Sequence, residues 1–169
     1  MRNWFVISLL LAILAVFTGT QAGRAQDVGL QVGAVPTAVI VPDLEGQPID
    51  FAQFVGKKPV VVEFWATWCP ICEELAPMLS AAQKKYGARV EFVIVAVGVS
   101  QTPRSIKRHL DKHPMPGRLV FDGEGKAVRA FKAPSTSYIV VLDNKGRVAY
   151  TGTGAEQKLD PILAKVTRP

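Results

Sequence analysis

The sequence has very few residues suited to redox or metal chemistry: two cysteines and two histidines occur among its 169 residues. Two cysteines are too few for a secreted scaffold held together by several disulfides, because such scaffolds are far richer in cysteine. Cys69 and Cys72 are also separated by only two residues. A disulfide across so short a loop restricts little chain entropy, so a chemical role for the pair is favoured over a purely stabilising one.

The chain also lacks a long run of charge of one sign. It carries 20 Lys and Arg against 14 Asp and Glu, a net charge of +6, and no basic tail. This modest excess gives little support to nucleic-acid binding, and we expect no nucleic-acid partner. Hydrophobic residues make up 49% and charged residues 20%. That balance excludes collagen-like and low-complexity proteins and is enough for one packed core.

The N-terminus has the three-part layout of a secretory signal. Arg2 precedes an apolar run over residues 4–17, and small and polar residues follow that run. The run is 14 residues long, which is fewer than the roughly 20 that span a bilayer. We predict a signal peptide over residues 1–25 with cleavage after Ala25; cleavage after Ala22 and an uncleaved membrane anchor are the alternatives. Either outcome places the domain in the periplasm or on the extracytoplasmic face of a membrane, where disulfides persist.

The remaining chain is divided into a linker, residues 26–36, and a single domain, residues 37–169. Apolar β-branched runs and helical spacing of apolar residues predict the elements of this domain. The predicted strands cover 39–41, 60–64, 90–97, 119–121, 138–142 and 147–150, and the predicted helices cover 75–86, 102–113 and 160–166. This order predicts an α/β fold with a central mixed β-sheet flanked by helices and with a C-terminal β-hairpin and helix.

Caps and turns set the expected ends of these elements. Gly87 is placed to end the first helix, and Thr102 is placed to cap the second. Asp160 is placed to cap the last helix, and the residues 143–146 predict the connection of the hairpin. Pro77 is expected to kink the first helix or to remove one of its hydrogen bonds.

The two cysteines occur where a predicted buried strand gives way to a predicted helix. The first turn of a helix has unpaired backbone N–H groups and the positive end of the helix dipole. A thiolate at Cys69 would be stabilised there, so its pKa should fall. Cys72 follows about one helical turn later, within reach of a mixed disulfide formed at Cys69. Pro70 suits the first turn because its missing N–H would be unpaired in any case.

Three other uses of the cysteine pair were compared. Attachment of c-type haem requires His directly after the second cysteine, where this chain has Glu73. A zinc site would need His109 and His113, but 36 residues separate Cys72 from His109, against roughly 12–15 in a zinc finger. A purely structural disulfide is the third alternative, and it is disfavoured because so short a loop would stabilise the fold very little.

Residues 61–72, VVEFWATWCPIC, resemble the active-site segment of the thioredoxin superfamily, and most closely that of exported TlpA/ResA-like thiol–disulfide oxidoreductases. The resemblance extends from about Gly33 to Val166. A C-x-x-C motif alone is a weak signal, whereas FWATWC-x-x-C after a buried strand is specific. The resemblance implies a thioredoxin-like fold and an enzyme that exchanges disulfides with partner proteins. It further implies no cofactor beyond the redox-active disulfide Cys69–Cys72.

The resemblance also implies roles for individual residues. Cys69 would be the attacking thiol and Cys72 the resolving thiol. Glu63 aligns with the buried acid that these proteins place behind the second cysteine, where a raised pKa would let it take the proton of Cys72. Trp68 is expected at the rim of the site, and Trp65 is expected to pack underneath. The candidate residues for substrate contact are Trp68, Pro70 and Ser137.

The related proteins named by the resemblance are mostly reductases that serve cytochrome c maturation or copper-site assembly. We therefore expect a monomeric protein-disulfide reductase. Its partners would be disulfide-bearing proteins and a membrane or periplasmic electron donor, with a membrane tether if the N-terminal segment is not cleaved.

One position departs from the pattern of the superfamily. A cis-proline is expected opposite the two cysteines, and counting back from Asp143 places that position at Ser137. The nearest proline, Pro134, comes three residues earlier. In relatives this proline helps to bind the substrate backbone and to keep metals away from the cysteines. The alternative function is therefore a non-enzymatic metal-binding or metal-delivery module that uses the same two thiolates.

Overall fold

A computed structural model describes residues 29–168 of the chain. In this part of the chain a central sheet is formed by strands from both halves of the sequence, and helices cover it. The strands are β1 (Ile40–Pro42), β2 (Pro48–Asp50), β3 (Val60–Trp65), β4 (Glu91–Val97), β5 (Arg118–Asp122), β6 (Tyr138–Leu142) and β7 (Val148–Gly152). The helices are α1 (Pro70–Tyr86), α2 (Pro103–Leu110), α3 (Lys126–Ala130) and α4 (Leu159–Val166), with a 3-10 turn over Phe51–Gln53.

The central sheet has five strands in the order β5-β4-β3-β6-β7. β3, β4 and β5 run parallel, and β6 and β7 run antiparallel to their neighbours. β3 lies at the centre, and all six of its residues are buried. A continuous apolar run is typical of such a strand, because both of its faces are covered. The predicted mixed sheet with an antiparallel edge and a C-terminal hairpin is confirmed.

The alternation of side chains along β3 divides the core between the two faces of the sheet. Val61 packs in a cluster with Leu75 and Leu79 of α1 and with Leu163 of α4. Val60, Val62 and Phe64 belong to the larger cluster on the other side, and that cluster also includes Phe51 and Phe131. Glu63 pairs with Ile139 of β6, and Ile139 belongs to the cluster with α1. The Glu63 side chain therefore lies on the α1 face of the sheet.

The predicted helix ends are largely correct. Gly87 caps the C-terminus of α1, which continues through Pro77. Thr102 caps α2, with Pro103 in the first turn and a reciprocal hydrogen bond to Ser105. α2 ends at Leu110 rather than near residue 113.

Other predictions about the elements need correction. α3 was not predicted, because five residues are too few to show helical periodicity. β2 was also missed. Asp160 does not cap the last helix: Lys158 precedes α4 without a side-chain cap. The Asp160 carboxylate instead accepts hydrogen bonds from Lys85 Nζ, at 2.6 Å, and from Tyr86 Oη, at 3.0 Å, so it joins α4 to α1.

The residues before β1 are held by hydrogen bonds to β6 and β7 of the sheet. The Leu30 N–H donates to Tyr138 Oη at 2.9 Å. Gly33 N–H donates to the Val148 carbonyl, and Val148 N–H donates to the Ala34 carbonyl.

The predicted signal peptide over residues 1–25 lies outside the described residues. Among residues 29–168, no helix has the length and apolar character needed to cross a membrane.

Candidate active site: the Cys69–Cys72 disulfide

The two cysteines are positioned by a tight turn between β3 and α1. The chain leaves β3 at Trp65 and turns over residues 66–69, where the Cys69 N–H donates to the Ala66 carbonyl at 3.1 Å. Cys69 is the N-cap of α1, and Pro70 is in its first turn. Cys69 and Cys72 form a disulfide with their Cα atoms 5.3 Å apart. The geometry predicted at the strand-to-helix junction is therefore present.

The two sulfur atoms have different surroundings. The Cys69 Sγ accepts a hydrogen bond from the Cys72 N–H at 3.1 Å, so it takes the place of a capping side chain at the helix N-terminus. Cys69 has an exposed fraction of 3%, whereas Cys72 has 0%. In the reduced protein, the free N–H groups and the helix dipole favour a thiolate at Cys69. The arrangement therefore gives Cys69 the better access to a partner and the better-stabilised anion.

Glu63 is fully buried, and its side chain lies on the face of the sheet that α1 covers. Neither of its carboxyl oxygens has a hydrogen-bond partner among the described residues. Burial without a compensating partner penalises the charged form and raises the pKa of Glu63 to about 8. A carboxyl group with this pKa is close to an ordinary thiol, near 8.5, in proton affinity. It is therefore suited to exchanging a proton with a cysteine.

Trp68, Ile71 and Val99 are exposed apolar side chains near the disulfide, and we define them as the apolar rim. Their exposed fractions are 47%, 44% and 61%, respectively. The Trp68 Nε1–H donates to the Val99 carbonyl at 2.8 Å, which fixes the indole at the edge of the site. Trp65 is buried and packs edge-on against His109. Val99 was not identified from the sequence, because it follows the apolar run of β4 by two residues and is distant from the cysteines along the chain.

Ser137 stands at the position where the sequence comparison predicted a departure from a cis-proline. It is buried, with φ at +60°, and its N–H donates to the Phe64 carbonyl at 2.7 Å. Its Oγ accepts from Gly154 N–H at 3.2 Å, and its carbonyl accepts from Gln157 Nε2 at 3.0 Å. No peptide bond in residues 29–168 is cis. Two of these three hydrogen bonds, those made by the N–H and the Oγ of Ser137, could not be made by a proline at residue 137.

Replacing Ser137 with proline is expected to lower the free energy of unfolding by roughly 3 kcal/mol or more. Proline fixes φ near −65° and removes the N–H that bonds to Phe64. The measurement is a urea unfolding curve. Ser137→Gly is the matched control, because glycine tolerates the positive φ and keeps the N–H. The free energy of unfolding of this control should fall several fold less than that of the proline variant. A proline variant as stable as the parent would contradict this account of the loop.

The two histidines do not meet the cysteines. His109 and His113 stack on one another with their ring centroids 4.6 Å apart. They line a cavity of about 340 Å³ between α1 and the end of α2, together with Trp65, Glu73 and Met115. Burial is the main cause that lowers the pKa of His109. Residues 29–168 contain no group of three or more His, Cys, Asp or Glu arranged to hold a metal ion. The structure therefore does not bring the cysteines and histidines together as a zinc site would require.

A five-stranded mixed sheet, a C-x-x-C disulfide at a helix N-terminus and a buried acid define a thioredoxin-fold thiol–disulfide oxidoreductase. The relatives agree. The thiol–disulfide oxidoreductase ResA of Bacillus cereus is 27% identical over 165 residues, a match covering 96% of this chain and 94% of that protein. Residues 30–166 match the model of the Redoxin family, and the chain belongs to that family.

Solved structures support the same fold. A Chlorobium tepidum protein assigned as the thiol:disulfide interchange protein DsbE superposes with a TM-score of 0.74 at 21% identity, covering 82% of this chain and 99% of that chain. A secreted disulfide oxidoreductase of Mycobacterium tuberculosis, homologous to DsbE of E. coli, superposes with a TM-score of 0.64 at 25% identity. That second match covers 76% of this chain and 93% of the other.

Proposed function

We propose that this oxidoreductase is an exported reductase of disulfides in partner proteins, of the type that serves cytochrome c maturation or copper-site assembly. The observation that carries the proposal is the placement of the Cys69–Cys72 disulfide. Cys69 caps α1 beside the exposed Trp68 and Ile71, and the buried Glu63 lies in the strand that leads to this turn. These three features match the three needs of the reaction: a stabilised thiolate, a place for a partner, and a proton acceptor.

In the proposed reaction the reduced protein acts first through Cys69. Its thiolate attacks one sulfur of a partner disulfide, forming a Cys69–partner disulfide and releasing the other partner sulfur as a thiolate. The ionised fraction of Glu63, which grows as the pH approaches its pKa of about 8, then accepts the proton of the Cys72 thiol. The Cys72 thiolate attacks Cys69 Sγ, which forms the Cys69–Cys72 disulfide and releases the second partner thiolate. The partner gains two electrons, and the protein loses two.

The apolar rim defines the kind of partner segment that this site accepts. Trp68, Ile71 and Val99 would cover apolar side chains that flank a disulfide in an extended or incompletely folded chain. Pro70 lies beside them in the exposed first turn of α1. Ser137 is the remaining candidate for contact with a partner, and this contact would be by packing, because its N–H, hydroxyl oxygen and carbonyl already bond to Phe64, Gly154 and Gln157.

Export is part of the same proposal. The N-terminal signal layout supports it, and one matching structure is that of a secreted protein. In an oxidising compartment the Cys69–Cys72 disulfide must be reduced again after each turnover. We therefore propose a membrane or periplasmic electron donor that supplies two electrons, and a monomer that is released or tethered by its N-terminus.

The reduction potential of the pair tests the direction of the reaction. The protein would be equilibrated with defined thiol buffers, and tryptophan fluorescence from Trp65 and Trp68 would report the redox state. A potential below roughly −250 mV, near that of thioredoxin, is expected for a reductase. A value near −120 mV would mark an oxidant and contradict the proposal. The absence of a reversible two-electron couple would favour the metal-binding alternative instead.

A further inference from the structure

We propose that Gln101 is a positioning residue for the nucleophilic cysteine. Its buried side chain holds the turn that delivers Cys69, although it lies 34 residues from that turn in sequence. The Gln101 side chain makes two hydrogen bonds. It would therefore affect the reaction by fixing the geometry of the turn.

The turn over residues 66–69 has a backbone group that it cannot satisfy by itself. The Cys69 N–H bonds back to the Ala66 carbonyl, which leaves the N–H of the first central residue, Thr67, without a partner in the turn. The Gln101 Oε1 accepts that N–H at 2.9 Å. Without Gln101, this partly buried N–H would favour a different turn or a bond to water. Gln101 therefore selects the observed turn.

The other end of the Gln101 amide fixes its orientation. Its Nε2 donates to the Val97 carbonyl at the end of β4. An N–H on one side and a carbonyl on the other allow only one orientation of the carboxamide, since a flipped amide would oppose like groups. The turn before Cys69 is thereby tied to the end of β4, a strand that is paired on both sides.

We define the clamp as residues 99–101, which hold residues 67 and 68. A second hydrogen bond, made by Trp68, supports it. Trp68 Nε1–H donates to the Val99 carbonyl at 2.8 Å. Between the two clamp residues lies Ser100, with φ at +53°. A non-glycine residue in this region is strained and persists only where its surroundings fix it. Here the strained residue lets Val99 face outward while Gln101 turns inward.

The clamp has a direct consequence for catalysis. Thiol–disulfide exchange proceeds by attack of one sulfur on another, and a displacement on the order of 1 Å in an attacking group can cost up to about 10²-fold in rate. Cys69 follows the clamped residues directly, so loosening the clamp moves its sulfur relative to the rim and the partner. Gln101 thus acts through Thr67 and Trp68 and not by touching the partner.

The test compares Gln101→Met with the parent protein. Methionine keeps the length of the side chain and removes both hydrogen bonds. The rate at which the reduced protein attacks oxidised glutathione would be measured by stopped flow across pH, which separates the pKa of Cys69 from the limiting rate of its thiolate. We expect that limiting rate to fall on the order of tenfold. A limiting rate within twofold of the parent would overturn the proposal.

Thr102→Ala is the matched control. Thr102 is the next residue and caps α2, so its loss weakens the start of that helix while leaving the Thr67 bond intact. We expect the control to lower the unfolding midpoint and to keep the thiolate rate within twofold. An equal loss of rate in both variants would assign Gln101 a merely structural role. If Gln101→Met does not fold, Gln101→Asn takes its place, because its shorter side chain cannot keep both hydrogen bonds at their present lengths, and an unchanged thiolate rate in that variant would overturn the proposal.

Discussion

Replacing Cys69 with serine is expected to abolish disulfide exchange, with a fall in turnover of roughly a thousandfold or more. A serine hydroxyl does not ionise near neutral pH, so the helix N-terminus would have no anion to stabilise and the first attack could not occur. The fold should survive, because serine is a good N-cap for α1. The measurement is the rate of reduction of a protein disulfide such as that of insulin, with dithiothreitol as the electron source.

Replacing Cys72 with serine provides the matched comparison. This variant keeps the Cys69 nucleophile and loses only the resolving thiol, so the mixed disulfide with the partner should accumulate. The trapped species would be seen as a mass increase on a non-reducing gel that disappears with added thiol. Trapping by Cys69→Ser in place of Cys72→Ser would reverse the assignment of the two cysteines.

Replacing Glu63 with glutamine is expected to change how the stability of the protein depends on pH. The pKa of Glu63 is about 8 in the folded protein against a usual value of 4.5. Between these two values the unfolded chain loses the proton while the folded protein keeps it, so the stability of the parent falls as pH rises. The stabilising contribution of the neutral acid is complete below pH 4.5 and lost by about pH 8.

Glutamine has no such titration, so the difference between the two proteins isolates the ionisation. From pH 4 to pH 9 the stability of the reduced or oxidised parent should fall relative to the variant by on the order of 4 kcal/mol. Urea unfolding at each pH measures this difference. A constant cost of burying the glutamine amide would shift the whole curve without changing its slope. A pH-independent difference would show that Glu63 is ionised in the folded protein.

The same variant should slow the second half of the reaction. Without a carboxylate to accept the Cys72 proton, resolution of the mixed disulfide would be slowed by roughly 10²-fold, the range of general-base contributions. Formation of the mixed disulfide should be unaffected. Glu91→Gln is the control, because Glu91 lies at the opposite end of β4 from the cysteines and pairs with Lys58. Unchanged resolution in the Glu63 variant would remove its assigned role.

The parts of the site that are local in sequence could be predicted. The junction of β3 and α1 could be predicted from three signals: an apolar β-branched run, the C-P-x-C motif and the helical spacing of apolar residues that follows it. These signals are contiguous in the sequence. Glu63 could be identified because a carboxylate interrupts that apolar run, which indicates burial of an ionisable group. The pattern therefore located the cysteines, and the resemblance together with this interruption located the acid.

The parts that depend on distant contacts could not be predicted. Gln101 and Thr67 are brought together by the parallel pairing of β3 with β4, and nothing in their sequence surroundings distinguishes Gln101 from a surface glutamine. Asp160 has the sequence signature of a helix cap, yet in the folded protein its carboxylate bonds to Lys85 and Tyr86 of α1. Ser137 could be noted as a departure, but its left-handed backbone and its bond to Phe64 follow only from the assembled sheet.

The asymmetry of the two thiols is the central claim, and alkylation of the reduced protein tests it most directly. The protein would be reacted with limiting iodoacetamide at a series of pH values, and the modified cysteine identified by peptide mass. We predict that Cys69 is modified first, with a pKa below the usual 8.5 of a thiol, and that Cys72 is protected by its complete burial. Preferential modification of Cys72, or equal reaction of both thiols at every pH, would contradict the account.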